Sequence, residues 1–328
     1  MSIFLRMISF TSYCALFVFV SAASAAGPEF TDPEKAGLDF QIQGEYVGQL
    51  MTTVGLEPQG CQVLALGDGL FQVVQYAGGL PGAGWERGDE ATQTAAQRND
   101  AGTELQVGDD VWSVRDGKLI PRAGGKKLGS LRKTHRESTS LGAKPPEGAL
   151  VLFDGTSTDE MQDGVLVDDQ YLGATNCHSK QLFNDHTLHL EFRIPFMPQA
   201  SGQARGNSGV YVQSRYEVQV LDSFALEGKN NECGGIYSIS EPAVNMCLPP
   251  LSWQTYDIDF TAARHDDEGN KTSNARVTIR HNGVLIHNDV ELTHGTPGRH
   301  PEGPEPDAVF LQDHGNSVVY RNIWAIAK

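Results

Sequence analysis

Positive charge is scarce in this sequence. Its 328 residues carry 25 Lys and Arg against 41 Asp and Glu, a formal net charge of −16, and a surface of that sign repels phosphate, which argues against nucleic acid as a partner. Cysteine is scarce as well. The chain has 5, with no C-x-x-C spacing and no Cys/His arrangement of zinc-finger type, so a structural zinc site has no basis in the sequence. Beyond residue 20 no apolar run is long enough to cross a bilayer. Convincing amphipathic helices are missing too. What remains is a series of short β runs separated by turns, and 36 Gly with 16 Pro fit a loop-rich, mostly β protein.

At the start of the chain Arg6 precedes an apolar run from Met7 to Val20, then small residues from Ser21 to Ala26 with the A-x-A form at Ala23-Ser24-Ala25. This pattern is expected to be a signal peptide over residues 1–25, with export to the periplasm or beyond the cell and no membrane attachment after cleavage. An uncleaved N-terminal anchor is the alternative. Cys14 would leave with the leader, so Cys61, Cys177, Cys233 and Cys247 remain. An even count in an exported chain favours disulfides, four cysteines allow three pairings, and the short Cys233 to Cys247 loop makes that pair the expected one.

Two domains are expected. Residues 26–145 read as a small β-rich domain: strands over 40–47, 61–66, 71–76, 104–107, 111–114 and 118–121 are punctuated by turns such as Asp116-Gly117. Residues 78–99 read as a loop followed by a short polar helix. The basic stretch Lys126, Lys127, Arg132, Lys133 and Arg136 has no interleaved aromatic to stack a base, and reads as strand and linker with solvated charges. Lys144-Pro145-Pro146 can continue neither a ladder nor a helix, which sets the boundary there. From residue 146 to 328 the strands are longer and alternate more cleanly, with an Asn282-Gly283 hairpin signal, and indicate a two-sheet sandwich.

Chemistry concentrates in this second half. In G-N-S-G-V-Y-V-Q-S-R-Y-E-V-Q-V-L-D-S, residues 206–223, Val210, Val212, Tyr216, Val218 and Val220 take one face, and Tyr211, Gln213, Arg215, Glu217 and Gln219 the other. A solvated sheet face is the ordinary meaning of such a row. Other segments supply more of the same chemistry: Glu191 and Arg193 on their strand, Asn207, Asp222, the 233–247 loop, and Leu311-Gln312-Asp313-His314-Gly315-Asn316. Carboxylates, an imidazole and amides together suit the floor of a polar cleft that takes a polyhydroxylated ring.

The order and wording of these segments resemble the 3-keto-disaccharide hydrolase family. The matching pieces are L-F-D-G (152–155), L-H-L-E-F-R (188–193), G-N-S-G-V-Y (206–211), Y-E-V-Q-V-L-D-S (216–223), W-Q-T-Y-D-I-D-F (253–260), N-G-V-L-I-H (282–287) and L-Q-D-H-G-N (311–316). The resemblance implies an all-β architecture, a concanavalin-like jelly-roll sandwich following the small β-rich domain. It also implies a substrate already oxidised at C3 of a sugar ring by a separate oxidoreductase. A C3 ketone acidifies the C2 hydrogen, so a base can start an elimination that releases the glycosidic oxygen, and water adds afterwards. On this reading His314 or Glu217 is the base, and Asp222 or the other of that pair is an acid or a ligand to a divalent cation. Asn207, Gln219 and Gln312 bind hydroxyls, Tyr211 belongs to the same binding set, and Glu191 and Arg193 either hold one another or bind the ring from beside it. A metal stays open, since no contiguous ligand motif fixes one. A non-catalytic carbohydrate-binding module on the same fold is the rival reading.

Overall fold

The computed structural model describes residues 27–328, so the expected signal peptide and its cleavage site lie outside the described residues. The first body is a closed barrel of eight antiparallel strands: Gly44–Met51, Leu56–Gly67, Leu70–Ala77, Ala91–Arg98, Glu104–Val107, Asp110–Arg115, Lys118–Ile120 and Gly129–Thr134. Each strand pairs with its sequence neighbour, and Gly44–Met51 closes the ring by pairing with Gly129–Thr134. Asp116-Gly117 makes a two-residue hairpin turn, with φ of +51° and +66°, the left-handed geometry that Asp-Gly adopts easily. Tyr46, Leu50, Val63, Phe71, Val73, Leu105, Trp112 and Leu131 fill the interior.

Two expectations for this half need correction. Phe40 lies in a short helix, Gly37–Ile42, and the first strand begins only at Gly44. Residues 91–98 form a strand and not a polar helix, because Leu70–Ala77 on one side and Glu104–Val107 on the other supply ladders to both of its edges; tertiary pairing overrides the weak local preference of A-T-Q-T-A-A-Q-R. Arg136 is not a solvated charge either. Its guanidinium forks onto the buried Glu45 carboxylate at 2.5 and 2.7 Å and donates to Pro81 O.

The second body is a jelly-roll-like sandwich of an eight-stranded and a five-stranded sheet. The larger sheet is built around His186–Arg193, Trp253–Thr261, Ala275–His281, Val284–Leu292 and Val319–Ala327. Asn282-Gly283 makes its expected hairpin at φ +52° and +82°. The smaller sheet runs Met161–Gln162, Cys177–Phe183, Asp307–Leu311, Ser208–Val212, Tyr216–Val220. Leu188, Leu190, Phe192, Val210, Val218, Val220, Phe260, Val309 and Leu311 meet between the sheets, each removing roughly 1.5–3 kcal/mol worth of apolar side chain from water.

The two bodies are packed together. Leu64, Val74 and Tyr76 of the barrel join the sandwich core, and Phe196 of the sandwich joins the barrel core. Between Thr134 and Leu150 the chain runs over the outer face of the larger sheet: Ser140 Oγ donates to Asp257, Gly142 N to Glu191, and Ala143 O accepts from Asn322.

The expected Cys233–Cys247 disulfide is absent. All four cysteines among the described residues are buried free thiols. Cys233 Sγ meets Tyr256 Oη at 3.2 Å and Cys247 Sγ donates to Leu221 O at 3.5 Å. Both thiols are thus held by the core without a covalent link.

Candidate active site

The hairpin Ser208–Val212/Tyr216–Val220 sends its valines inward and keeps a polar row outward. Its turn is pinned: Gln213 and Ser214 hold φ of +50° and +46°, offset by bonds from Gln213 Nε2 to Phe183 O and Ser214 Oγ to Ala308 O. The outward row therefore divides. Gln213 and Arg215 are spent on the turn and on Pro301 O, Glu305 O and Asp307, whereas Tyr211, Glu217 and Gln219 face a cavity of about 200 Å³.

Gln203, Asn207, Tyr237, Pro297, Gly298, Gln312 and His314 complete that cavity. Glu217 is its buried carboxylate and the exposed His314 is its imidazole, on the loop after Asp307–Leu311. Burial drives the Glu217 carboxyl up to about 7, against a smaller downward pull from the Tyr211 hydroxyl. Tyr211 Oη donates to Glu217 Oε2 at 2.9 Å, with Pro297 O a second acceptor at 3.2 Å, and Gln312 Nε2 donates to Tyr211 Oη at 3.4 Å. Gly209 is required beside this carboxylate: a Cβ there would stand 2.4 Å from Glu217 Oε1.

The amides form their own network. Gln219 Nε2 donates to Asn207 Oδ1 at 3.0 Å and Gln203 Oε1 at 3.1 Å, and Asn207 Nδ2 donates to Gln203 O at 2.8 Å. Gln219 Oε1 is buried with no partner, an acceptor that a ligand hydroxyl would satisfy. The backbone of Glu217 is fixed on both sides of its Cα, its N–H donating to Thr296 Oγ1 at 2.9 Å and its carbonyl accepting from Tyr237 N at 3.1 Å. Among the described residues no group of three or more His, Cys, Asp or Glu side chains gathers as a cation site.

Six of the nine site residues expected from the sequence thus share one hollow: Asn207, Tyr211, Glu217, Gln219, Gln312 and His314. The other three stand elsewhere. Asp222 is buried against Arg205, whose Nε donates to it at 2.6 Å while the rest of the guanidinium bonds Ala65 O, Pro198 O and Ala200 O; it neutralises a cation that ties the barrel to the sandwich. Glu191 lies on the other sheet under the linker. Burial pushes its carboxyl up, but His189, Asn322, Gly142 N–H and Arg321 together bring it down to about 2. Its partner is Arg321 at 2.6 Å and not Arg193, which stacks on Tyr171 and Trp253. Sequence reasoning missed Gln203, Thr296, Pro297 and Gly298, because loop residues reach a pocket by chain path and leave no periodic signal.

Residues 148–326 match the family described as the 3-keto-alpha-glucoside-1,2-lyase-like domain. A solved protein of Parabacteroides distasonis ATCC 8503, provisionally described as a glycosyl hydrolase, is similar at 30% identity and a TM-score of 0.51, over 56% of this chain and 85% of that one. A second from the same organism, described in the same way, has 15% identity and a TM-score of 0.42 over 56% of this chain and 95% of its own. No curated protein matches. By the span of the match, the order of its segments and the 30% identical structure, the chain belongs to the 3-keto-alpha-glucoside-1,2-lyase-like family.

Proposed function

We propose that the protein cleaves the glycosidic bond of 3-keto-glycosides, 3-keto-disaccharides among them, with Glu217 as the base that removes the C2 proton. The observation that carries this reading is a buried carboxyl with its pKa raised to about 7 on the floor of a ring-sized hollow, a base matched to neutral pH. The C2–H electron pair forms the enolate of the C3 ketone. Its collapse forms the C1–C2 double bond and breaks the C1–O bond, with His314 at the rim delivering a proton to the departing oxygen. Water then adds across the double bond, its oxygen to C1 and a proton to C2, so the net change is hydrolysis. The second N–H of the Gln312 amide, beside the one given to Tyr211, is the donor assigned to the ketone oxygen, and the unpartnered Gln219 Oε1 with Asn207 Oδ1 supplies acceptors for ring hydroxyls.

Such a substrate must be supplied by a sugar 3-oxidoreductase. Export is part of the same proposal, tested by sequencing the N-terminus of the mature protein for cleavage near Ala25. The chemical reading is tested by incubating the purified protein with a 3-keto-glucoside and with its unoxidised parent. Monosaccharide release from the ketone alone, slowed by deuterium at C2, is expected. Equal cleavage of the unoxidised glycoside would sink the elimination mechanism, and tight binding without release would favour the carbohydrate-binding module.

A further inference from the structure

One side chain of the barrel reaches the loop that flanks the pocket. Arg87, on the loop between barrel strands Leu70–Ala77 and Ala91–Arg98, extends its guanidinium across to the sandwich loop that carries Tyr237. Its Nη2 lies 3.2 Å from Glu227 O, 2.8 Å from Gly228 O and 3.0 Å from Pro242 O, and its Nε lies 3.4 Å from Ala243 O. These carbonyls are the two feet of one loop, so a single cation closes its base. Gly228 allows the approach: at φ +88°, a Cβ there would stand 3.2 Å from Arg87 Nη2 and 3.0 Å from Asn245 Cβ.

What that loop does explains why its base matters. Tyr216–Val220 is the outer strand of the five-stranded sheet, and its free edge would be open to water or to another chain. The loop covers it. Gly234 N donates to Gln219 O at 3.0 Å, Gln219 N to Gly235 O at 2.9 Å, and Tyr237 N to Glu217 O at 3.1 Å. The segment 234–237 thereby makes an isolated antiparallel bridge, Ile236 opposite Val218, bonded to the two residues that present the carboxylate and the amide to the hollow. A two-rung addition of this kind is weak by itself and depends on how its ends are anchored.

We propose that Arg87 is a positioning residue for the pocket, a clasp by which the barrel holds the 228–242 loop against the edge strand and so fixes Tyr237 and the Glu217 backbone. The part of this that concerns catalysis rests on the cleavage of 3-keto-glycosides proposed above. The structural part does not. The test compares full-length wild type, Arg87→Ala and Arg87→Lys by amide hydrogen exchange and by the pH dependence of kcat/KM on a 3-keto-glucoside. In Arg87→Ala, exchange at Gly234, Tyr237 and Gln219 should rise at least tenfold while amides inside the barrel keep their wild-type rates. The acid limb should move down by about one pH unit, as water reaches Glu217 and relieves its desolvation, and Arg87→Lys should fall between the two. Wild-type exchange over 234–237 in Arg87→Ala overturns the clasp even if the protein cleaves 3-keto-glycosides. Exchange raised uniformly across barrel and sandwich, with the pH limb unmoved in Arg87→Lys, also overturns it, since Arg87 would then only stabilise the fold. If wild type fails to cleave the ketone, the function reading falls and the exchange data still decide the clasp.

Discussion

Tyr211 and Glu217 face each other as a register pair of one hairpin, and the Tyr211 hydroxyl donates to Glu217 Oε2 at 2.9 Å. That bond is the one interaction that lowers the carboxyl against its burial. Tyr211→Phe should therefore raise the acid limb of kcat/KM by about one unit, the worth of a hydrogen bond to a charged group. Below the limb the rate should drop roughly tenfold. A limb that stays put would show that another group controls it.

Glu217→Gln should abolish turnover and stabilise the fold above neutral pH. With the folded carboxyl at about 7 against an ordinary 4.5, the folded state holds a proton that the unfolded chain gives up, so stability falls as pH rises from 4.5 to 7. The loss levels off at about 3 kcal/mol. Urea denaturation at pH 8 should show the variant more stable than wild type, with the difference vanishing near pH 4.5.

Gly209→Ala separates function from stability in the other direction. The added Cβ meets the movable end of a side chain, Glu217 Oε1 at 2.4 Å and Cδ at 3.0 Å, so the carboxylate shifts and the strand does not. A cost of only about 1 kcal/mol in melting experiments is expected, with kcat reduced about a hundredfold because an ångström of misplacement is expensive in proton transfer.

Asp222→Ala should damage the fold and leave the chemistry. It strands Arg205 in the interior without its counter-ion, at a cost of about 3–5 kcal/mol. Rates per folded molecule, measured cold and corrected for the unfolded fraction, should stay within a few-fold of wild type. A thousandfold fall would return Asp222 to the catalytic set.

His189 offers a stability signature in a different pH window. Burial pulls its imidazole down, but Asp257 at 2.6 Å and Glu191 at 3.9 Å outweigh that and raise it. The imidazolium therefore contributes stability that is complete below the ordinary histidine value of 6.5 and lost as pH climbs through the raised one. His189→Gln should remove this decline on the alkaline side, leaving the one due to Glu217 in place.

The hairpin was legible because one strand alternated apolar and polar residues, and because Asn207, Gln312 and His314 sat in motifs of recognisable wording. Glu191 and Asp222 misled for a physical reason: a buried salt bridge and a catalytic carboxylate have the same sequence appearance, and only the position of Arg321 and Arg205 in space tells them apart. The Cys233–Cys247 spacing was equally ambiguous, since two core thiols also occur close in sequence. Gln203, on the single 3-10 turn Gly202–Ala204, and the loop residues Thr296 and Gly298 carried no signal because no periodic pattern leads to them. Nor did Arg87, whose acceptors are backbone carbonyls about 140 to 156 positions away, and a carbonyl has no letter in the sequence.

The hollow has a reach as well as a chemistry. At about 200 Å³ it is smaller than the roughly 300–1,000 Å³ that enclose drug-sized molecules, and on the function proposed above this is room for a single pyranose, with whatever is attached through the anomeric oxygen left outside. Under that proposal selection stops at the oxidised ring. A phenol, an alcohol or a second hexose as the departing portion should be accepted with similar KM, and the rate should follow the acidity of that alcohol far more than its shape.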